Sequence, residues 1–68
     1  RDGSKFWYKH GELHREDGPA IKEWDGSLYW FKNGELHRDI PPGADPDDFP
    51  AVIRYDGTRK WYKNGKLQ

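Results

Sequence analysis

The chain has 68 residues, no cysteine, no methionine, and 12 basic residues balanced by 12 acidic ones. A chain this short forms one small domain, and without cysteine it has neither disulfides nor a cysteine zinc site to add to its stability. A net charge of zero argues against a protein that binds nucleic acid through an overall basic surface. No stretch approaches the roughly 20 apolar residues of a membrane span, so we expect a soluble protein, with the cytoplasm as the favoured compartment.

The apolar residues are few and mostly aromatic. Leu, Ile, Val and Phe together supply 11 of the 68 residues, a share typical of disordered chains. Disordered chains also carry a high net charge, which this chain lacks. Four Trp, four Tyr and three Phe each bring a large apolar area to a core. The composition therefore predicts a small folded domain with an aromatic core.

One sequence pattern occurs three times, and a fixed period is the mark of a repeat architecture. Asp-Gly and a tryptophan five residues later recur together, first after 23 residues and then after 31; the tryptophans are Trp7, Trp30 and Trp61. The shared pattern is D-G-x-x-x-W-[YF]-K-[NH]-G-[EK]-L-[HQ], followed by P-A-[IV] in the first two copies. The copies span residues 2–24, 25–55 and 56–68; the second carries an insertion at 39–48, and the third is truncated.

Each copy holds two short aromatic or β-branched runs separated by Asp-Gly or Asn-Gly, the dipeptides that favour two-residue hairpin turns. In chain order, these runs predict strands at residues 4–8, 12–15, 20–24, 28–32, 35–38, 51–55, 59–63 and 65–67. No window has the period of about 3.6 residues that is typical of a helix. We therefore predict a single all-β domain over residues 1–68. It is an antiparallel meander of three 23-residue β-hairpin repeats, which form a twisted, partly curled sheet with one proline-rich insertion loop.

The turns also predict which residues face each other. A two-residue turn at 33–34 sets Phe31 opposite Leu36. A second at 25–26 sets Trp30 opposite Ile21. Because side chains alternate between the two faces of a strand, one face would carry Ile21, Trp30 and His37, and the other Ala20, Phe31 and Leu36.

These units resemble the MORN repeat and its variant in bacterial antitoxin-like proteins, through the 23-residue hairpin unit, the aromatic-x-x-Asn-Gly-x-x-His motif and the later Asp-Gly. They are still more similar to the W-Y-x-N-G-x-x-H-R-x-x-G-P-A arrays of bacterial, phage and large-virus proteins. The chain lacks the Tyr-x-Gly start of a MORN unit, and Trp30 precedes Asn33 by three residues rather than two. The resemblance implies an elongated twisted sheet without catalytic residues that contacts other proteins or, in some MORN proteins, phospholipid. It also implies an accessory or inhibitory role, such as that of an antitoxin or a phage antagonist of a host protein.

Two histidines are the first candidates for chemistry. His14 and His37 lie 23 residues apart at equivalent places, where converging imidazoles would serve as metal ligands or as an acid/base pair. Gln68 occupies the same place in the third copy, and equivalent residues of successive repeats are displaced along a sheet. We therefore expect structural histidines that stack on the neighbouring tryptophan and hydrogen-bond within the repeat, with zinc binding or catalysis as the alternative.

The three tryptophans suit a stacking platform for bases or sugars, because lysines accompany them. The other interpretations are packing between repeats, which we favour, and a patch that binds protein. Residues near the C-terminus add local positive charge: Arg54, Arg59, Lys60, Lys63 and Lys66. Such a basic end suits nucleic acid, anionic lipid or an acidic protein partner, although charge runs are usually solvated surface.

The stretch 39–50 departs most from the repeat, with four of the five prolines and four aspartates. Proline keeps it out of a sheet interior, so we expect a stiff projecting loop. Its candidate partner-binding residues are Ile40, Asp45, Asp47, Asp48 and Phe49. The acidic groups suit a basic partner; calcium is the alternative ligand, although the glycine and glutamate of an EF-hand loop are missing. Asp45 and Pro46 also suit the cap and first position of a single helical turn.

No nucleophile triad, phosphate-binding glycine loop or isolated carboxylate pair stands out, so we expect no enzyme, no cofactor and no bound metal. The sequence favours a non-enzymatic β-repeat module that binds another protein through its sheet edge, aromatic face or acidic loop. The alternative is single-stranded nucleic-acid or anionic-lipid binding through the tryptophans and the basic end. Open sheet edges would also permit self-association.

Overall fold

The computed structural model describes residues 3–68. These residues form an all-β fold of antiparallel strands, each two residues long, with one 3-10 turn at Pro46–Asp48. The strands are β1 (Lys5–Phe6), β2 (Tyr8–Lys9), β3 (Glu12–Leu13), β4 (Ile21–Lys22), β5 (Leu28–Tyr29), β6 (Phe31–Lys32), β7 (Glu35–Leu36), β8 (Val52–Ile53), β9 (Arg59–Lys60), β10 (Tyr62–Lys63) and β11 (Lys66–Leu67). In this part of the chain, no helix has the length and apolar character needed to cross a membrane. The prediction of an all-β chain is confirmed.

The strands belong to a central sheet and to hairpins that extend from it. The sheet has the order β1-β4-β5-β8-β9, and every neighbouring pair is antiparallel. Strands β2 and β3, β6 and β7, and β10 and β11 form the hairpins. The molecule measures 36 × 31 × 19 Å. The chain therefore alternates between strands of the sheet and a hairpin.

A tryptophan separates each hairpin from the sheet strand that precedes it. Trp7 N–H donates a hydrogen bond to Ala20 O (2.8 Å) on the sheet side, and Trp7 O accepts one from His14 N–H (3.0 Å) on the hairpin side. Trp30 makes the equivalent pair of bonds. The chain changes its pairing partner at the tryptophan, so the continuous strands predicted at 4–8, 28–32 and 59–63 are each divided in two.

The Asn-Gly turns have the predicted geometry. Asn33 and Gly34 have φ values of 54° and 81°, and both must be positive in a type I′ turn. The register across this turn sets Phe31 opposite Leu36, as predicted. The turns at residues 10–11 and 64–65 also have positive φ at both positions.

The Asp-Gly turns have a different register from the predicted one. Ile21 lies opposite Tyr29 rather than opposite Trp30. The loop has three residues instead of two, because Glu23 N–H donates to Ser27 O across residues 24–26 (2.9 Å). Three-residue hairpin loops commonly end on a left-handed residue, and the glycine of this loop has a φ of 94°.

An aspartate holds the extra loop residue in place. Asp25 Oδ1 accepts a hydrogen bond from Ser27 N–H (2.9 Å), and the equivalent Asp56 Oδ1 accepts one from Thr58 N–H (3.0 Å). Both loops shift the facing strand by one residue relative to a two-residue turn at Asp-Gly, so Lys60 lies opposite Val52. The predicted row of Ile21, Trp30 and His37 along one face is wrong for this reason.

The core is small and consists of short side chains. Its buried apolar residues lie where the chain enters strands β4 and β8: Ala20, Pro50, Ala51 and Val52. His14 and Ser27 are buried polar residues, and both are hydrogen-bonded. Trp7, Trp30 and Trp61 are half-buried. The predicted aromatic core is therefore only partial, and each of these tryptophans keeps part of its surface outside the core.

Candidate functional site

Arginine side chains cover the first two repeat tryptophans. The guanidinium carbon of Arg15 lies 3.9 Å from the centre of the Trp7 ring, and that of Arg38 lies 3.9 Å from the centre of Trp30. Both distances are short enough for cation–π attraction. Each arginine also donates a hydrogen bond to the carbonyl of a following proline, Pro19 (3.3 Å) and Pro50 (3.0 Å). The two tryptophans thus serve as platforms for arginines of the chain itself.

The histidines join successive hairpins. His14 Nδ1 accepts a hydrogen bond from Asn33 N–H (3.0 Å), and His37 Nδ1 accepts one from Asn64 N–H (2.9 Å). Because Nδ1 is an acceptor, the ring proton of each neutral histidine is on Nε2. The sequence predicted histidine hydrogen bonds within one repeat, whereas these bonds run from one hairpin to the turn of the next.

The other ring nitrogen of each histidine faces a carboxylate. His14 Nε2 lies 3.1 Å from a Glu16 oxygen, and His37 Nε2 lies 2.6 Å from an Asp39 oxygen. These hydrogen bonds favour the charged carboxylates, so they lower the pKa of Glu16 and of Asp39 below the usual values. Among residues 3–68, no group of three His, Asp or Glu side chains could hold a metal ion. Each histidine therefore has one backbone partner and one carboxylate partner.

Backbone hydrogen bonds also connect the hairpins. Gly34 N–H donates to Leu13 O, and Gly65 N–H donates to Leu36 O, both at 2.9 Å. The first of these turns lies close under Glu12, whose Cβ would be 3.6 Å from a Cβ added at Gly34. Each Asn-Gly turn thus contacts the hairpin before it, and the hairpins form a row.

The insertion folds back onto the third hairpin. Trp61 Nε1 donates a hydrogen bond to Pro46 O (2.9 Å). The predicted loop is present and largely exposed, but the indole attaches it at Pro46 to the chain between β9 and β10. The predicted helical turn is present as a 3-10 turn, in which Asp45 is the cap and accepts a hydrogen bond from Asp47 N–H (3.0 Å).

The residue after the insertion, Phe49, contacts the second arginine. The Phe49 ring centre lies 4.8 Å from the guanidinium carbon of Arg38, which also lies over Trp30. Burial lowers the pKa of Arg38, but a guanidinium stays charged at neutral pH. Arg38 thus links the insertion to the second tryptophan, while Trp61 links it to the third hairpin.

Two grooves open beside the insertion. The inner groove has a volume of about 710 Å³ and runs between the first and second copies; Arg15, Glu16, Trp30 and Phe31 are among its lining residues. The outer groove has a volume of about 760 Å³ and runs between the second and third copies. Its lining includes Asp39, Ile40, Asp47, Phe49, Trp61 and Tyr62. Both grooves combine aromatic walls with carboxylates.

Three of the five loop residues singled out from the sequence line these grooves. Ile40 and Phe49 line both grooves, and Asp47 lines the outer one. Asp45 and Asp48 belong to the 3-10 turn and its cap and line neither groove. The acidic loop is thus brought to the outer groove mainly through Asp47.

The five basic residues of the C-terminal end are all exposed. Lys63 lines the outer groove, whereas Arg54, Arg59, Lys60 and Lys66 line neither groove. Arg59 lies 5.8 Å from the centre of the Trp61 ring. Within residues 3–68, none of the five forms an ion pair with a carboxylate.

Sequence reasoning missed Arg38, Asp39 and Gln68, which all line the outer groove. The recurring His-Arg pair was an available signal, because a cation that repeats with a tryptophan suggests stacking. Four exposed aromatic side chains of the described residues lie outside both grooves, and two of them are at the Asp-Gly loops. These two are Trp24 and Tyr55, which are 74% and 67% exposed.

No family model, curated protein or solved structure matches this chain. The resemblance to MORN-type repeats therefore stays a prediction from the motifs, and the function must be inferred from the grooves and from the groups that line them.

Proposed function

We propose that this chain is a non-enzymatic module that binds another protein through the outer groove. The observation that carries the proposal is the groove of about 760 Å³ between the insertion and the third hairpin, lined by Phe49, Trp61 and Tyr62. Ile40 adds apolar surface at its edge, where it is 43% exposed. Aromatic anchors with a charged rim are typical of the centres of protein interfaces.

The attachment of the insertion supports this proposal. The bond from Trp61 to Pro46 O and the contact of Phe49 with Arg38 hold both ends of the groove wall. A wall that is already ordered loses less conformational entropy when a partner binds. The insertion therefore acts as a preformed wall of the groove.

The larger architecture belongs to the same proposal. We infer that the chain is a MORN-like meander of three hairpin repeats whose sheet is twisted and partly curled. The equivalent histidine bonds to Asn33 and Asn64 support a repeated unit. Proteins of this type suit an accessory or inhibitory role, such as that of an antitoxin or a phage antagonist of a host protein.

The proposal is tested by comparing two matched substitutions of exposed apolar residues. The partner is captured from a lysate of the source organism, identified by mass spectrometry, purified, and titrated by calorimetry. Ile40→Glu, at the groove, should weaken binding by at least about tenfold, because it places a charge among aromatic contacts. Tyr55→Glu, at the distant Asp-Gly loop, should leave the affinity within about twofold. Equal effects of the two substitutions on the affinity would contradict a binding site in the outer groove.

Binding to single-stranded nucleic acid or anionic lipid is the second candidate. The observation that favours it is the set of exposed basic residues near the C-terminus, which make no ion pair within residues 3–68. Such binding should weaken steeply with salt. Fluorescence anisotropy with oligo-dT and sedimentation with phosphatidylserine vesicles, at low and high salt, measure this directly. Salt-insensitive or undetectable binding in both assays would eliminate this candidate.

We also propose that the chain can self-associate through the open edges of its sheet. Strands β1 and β9 each have one partner strand within residues 3–68, so each leaves one edge of the sheet open. Lysine on an edge strand opposes edge-to-edge pairing, and Lys5 and Lys60 lie on these strands. Light scattering over a range of concentrations reports whether the chain self-associates; a mass that stays that of one chain would rule edge pairing out.

A further inference from the structure

We propose that the outer groove binds an arginine side chain of the partner polypeptide, with its guanidinium group over the ring of Trp61. The inference rests on the proposed function, because it names the chemistry by which the same groove recognises a protein.

The chain itself shows which group its repeat tryptophans accept. Trp7 and Trp30 each carry a guanidinium at 3.9 Å from the ring centre. Both arginines also donate to a proline carbonyl beside the ring. This part of the repeat thus provides an aromatic face for the cation and a carbonyl for its N–H groups, which together match the chemistry of guanidinium.

Trp61 occupies the equivalent place in the third copy and lines the outer groove. Its own chain supplies Arg59 at 5.8 Å, about 2 Å farther than the two stacked arginines, near the limit of about 6 Å for a significant cation–π contact. The hydrogen bond from Trp61 Nε1 to Pro46 O, 2.9 Å long, fixes the position of the indole. The ring is therefore held in place and remains half-buried at the groove wall.

The carboxylates of the groove favour a cation. Asp39 and Asp47 both line it. His37 Nε2 lies 2.6 Å from one Asp39 carboxylate oxygen and Lys32 Nζ lies 3.7 Å from the other, so the charge of Asp39 is partly compensated. Asp47 belongs to the 3-10 turn whose first residue, Pro46, contacts Trp61. Asp47 forms no ion pair within residues 3–68, so its charge is the less compensated of the two carboxylates in the groove that Trp61 lines.

Two cations line the same groove. Arg38 directs its charge to the Trp30 and Phe49 rings and to Pro50 O, so its charge is already engaged. Lys63 is exposed, and the residue opposite it in the β10–β11 hairpin is Lys66, which has the same charge. Lys63 therefore opposes a cationic ligand, and its removal should strengthen binding.

Arginine fits better than lysine for a geometric reason. A planar guanidinium stacks on an indole while its N–H groups donate in the plane, whereas an ammonium is a strongly hydrated point charge. The groove should therefore prefer arginine to lysine and reject citrulline, which has nearly the same shape without the charge.

The test titrates short blocked peptides into the whole chain, which is labelled with nitrogen-15. Acetyl-Gly-Arg-Gly-amide is titrated while the indole N–H signals of Trp61 and of the exposed Trp24 are followed by NMR. The Trp61 signal should shift saturably, with a dissociation constant in the millimolar range, and the Trp24 signal should not shift. The lysine peptide should bind at least about threefold more weakly, and the citrulline peptide should give no saturable shift.

Two variants that leave the tryptophan in place test the electrostatics. Asp47→Asn should weaken arginine binding by about two- to fivefold, and Lys63→Ala should strengthen it by a similar factor, the range expected for one exposed charge pair. Equal shifts with the citrulline peptide, equal shifts at Trp24, or no dependence on either variant would each overturn the inference.

The two proposals fail in different ways. If Ile40→Glu weakens the natural partner but the arginine peptide leaves Trp61 unchanged, the arginine site is wrong and the protein-binding groove stands. If the peptide shifts Trp61 but Ile40→Glu and Tyr55→Glu affect the natural partner equally, the groove holds an arginine site that the natural partner does not use, and the proposed function is wrong.

Discussion

Replacing Arg38 by lysine tests whether stacked guanidinium groups stabilise this fold. The guanidinium carbon of Arg38 lies 3.9 Å from the centre of the Trp30 ring and 4.8 Å from that of Phe49. The guanidinium also donates a hydrogen bond to Pro50 O (3.0 Å). Lysine keeps the charge but loses the planar stack and the fixed hydrogen-bond geometry. A partly buried cation–π contact contributes about 0.5–2 kcal/mol and a hydrogen bond about 1 kcal/mol. We therefore expect Arg38→Lys to lower the free energy of unfolding by about 1–2 kcal/mol.

The assay is reversible unfolding by heat and by urea, followed by near-ultraviolet circular dichroism of the tryptophans. For a chain of this size, the expected loss corresponds to a Tm lower by about 4–16 °C. Arg59→Lys is the matched control, because Arg59 is exposed and lies 5.8 Å from its tryptophan; it should cost less than about 0.5 kcal/mol. If both variants lower the stability equally, the planar stack over Trp30 is not what stabilises the second copy.

Three other predictions follow from the contacts of the hairpins. His14→Ala should lower the free energy of unfolding by about 2 kcal/mol, because it removes a buried ring and the acceptor of a backbone N–H; the equivalent exposed change Gln68→Ala should cost less than about 0.5 kcal/mol in the same urea titration. The pKa of Asp39 is lowered from 3.8 by its hydrogen bond from a histidine. Its stabilising effect is therefore present above pH 3.8 and lost as the pH falls through the lower folded value, so Asp39→Asn should flatten the acid limb of a stability profile; an unchanged limb would contradict this. Trp61→Phe removes the indole bond to the insertion and should speed amide exchange in residues 47–49, whereas Trp24→Phe should leave that exchange unchanged.

Features set by adjacent residues could be predicted from the sequence. The Asn33-Gly34 turn and its register follow from the preference of that dipeptide for positive φ at both positions. The dipeptide Asp25-Gly26 looks similar in the sequence. However, Asp25 Oδ1 accepts a hydrogen bond from Ser27 N–H, and the loop there has three residues. One side-chain hydrogen bond thus shifted the register, and a dipeptide pattern does not reveal it.

The candidate site was harder to predict, because its contacts join residues far apart in the chain. Trp61 meets the carbonyl of Pro46, 15 residues earlier, and Asn64 N–H meets His37 Nδ1, 27 residues earlier. Residue type identified Ile40, Asp47 and Phe49 as candidates for the site, but their common groove depends on how the insertion folds back. No periodic pattern encodes that contact.

The bond between an arginine and the proline after it has a consequence for loop length. Arg15 reaches Pro19 across four positions, whereas Arg38 makes the same bond to Pro50 across 12. The same arginine-to-proline hydrogen bond closes two loops of very different length. The strands on either side of the loop are therefore held in the same way whatever the length of chain between them. The short loop at residues 16–18 should therefore tolerate a graft as long as the natural insertion. Such a chain would display two arms side by side, which makes this small protein a scaffold for presenting chosen peptides in pairs.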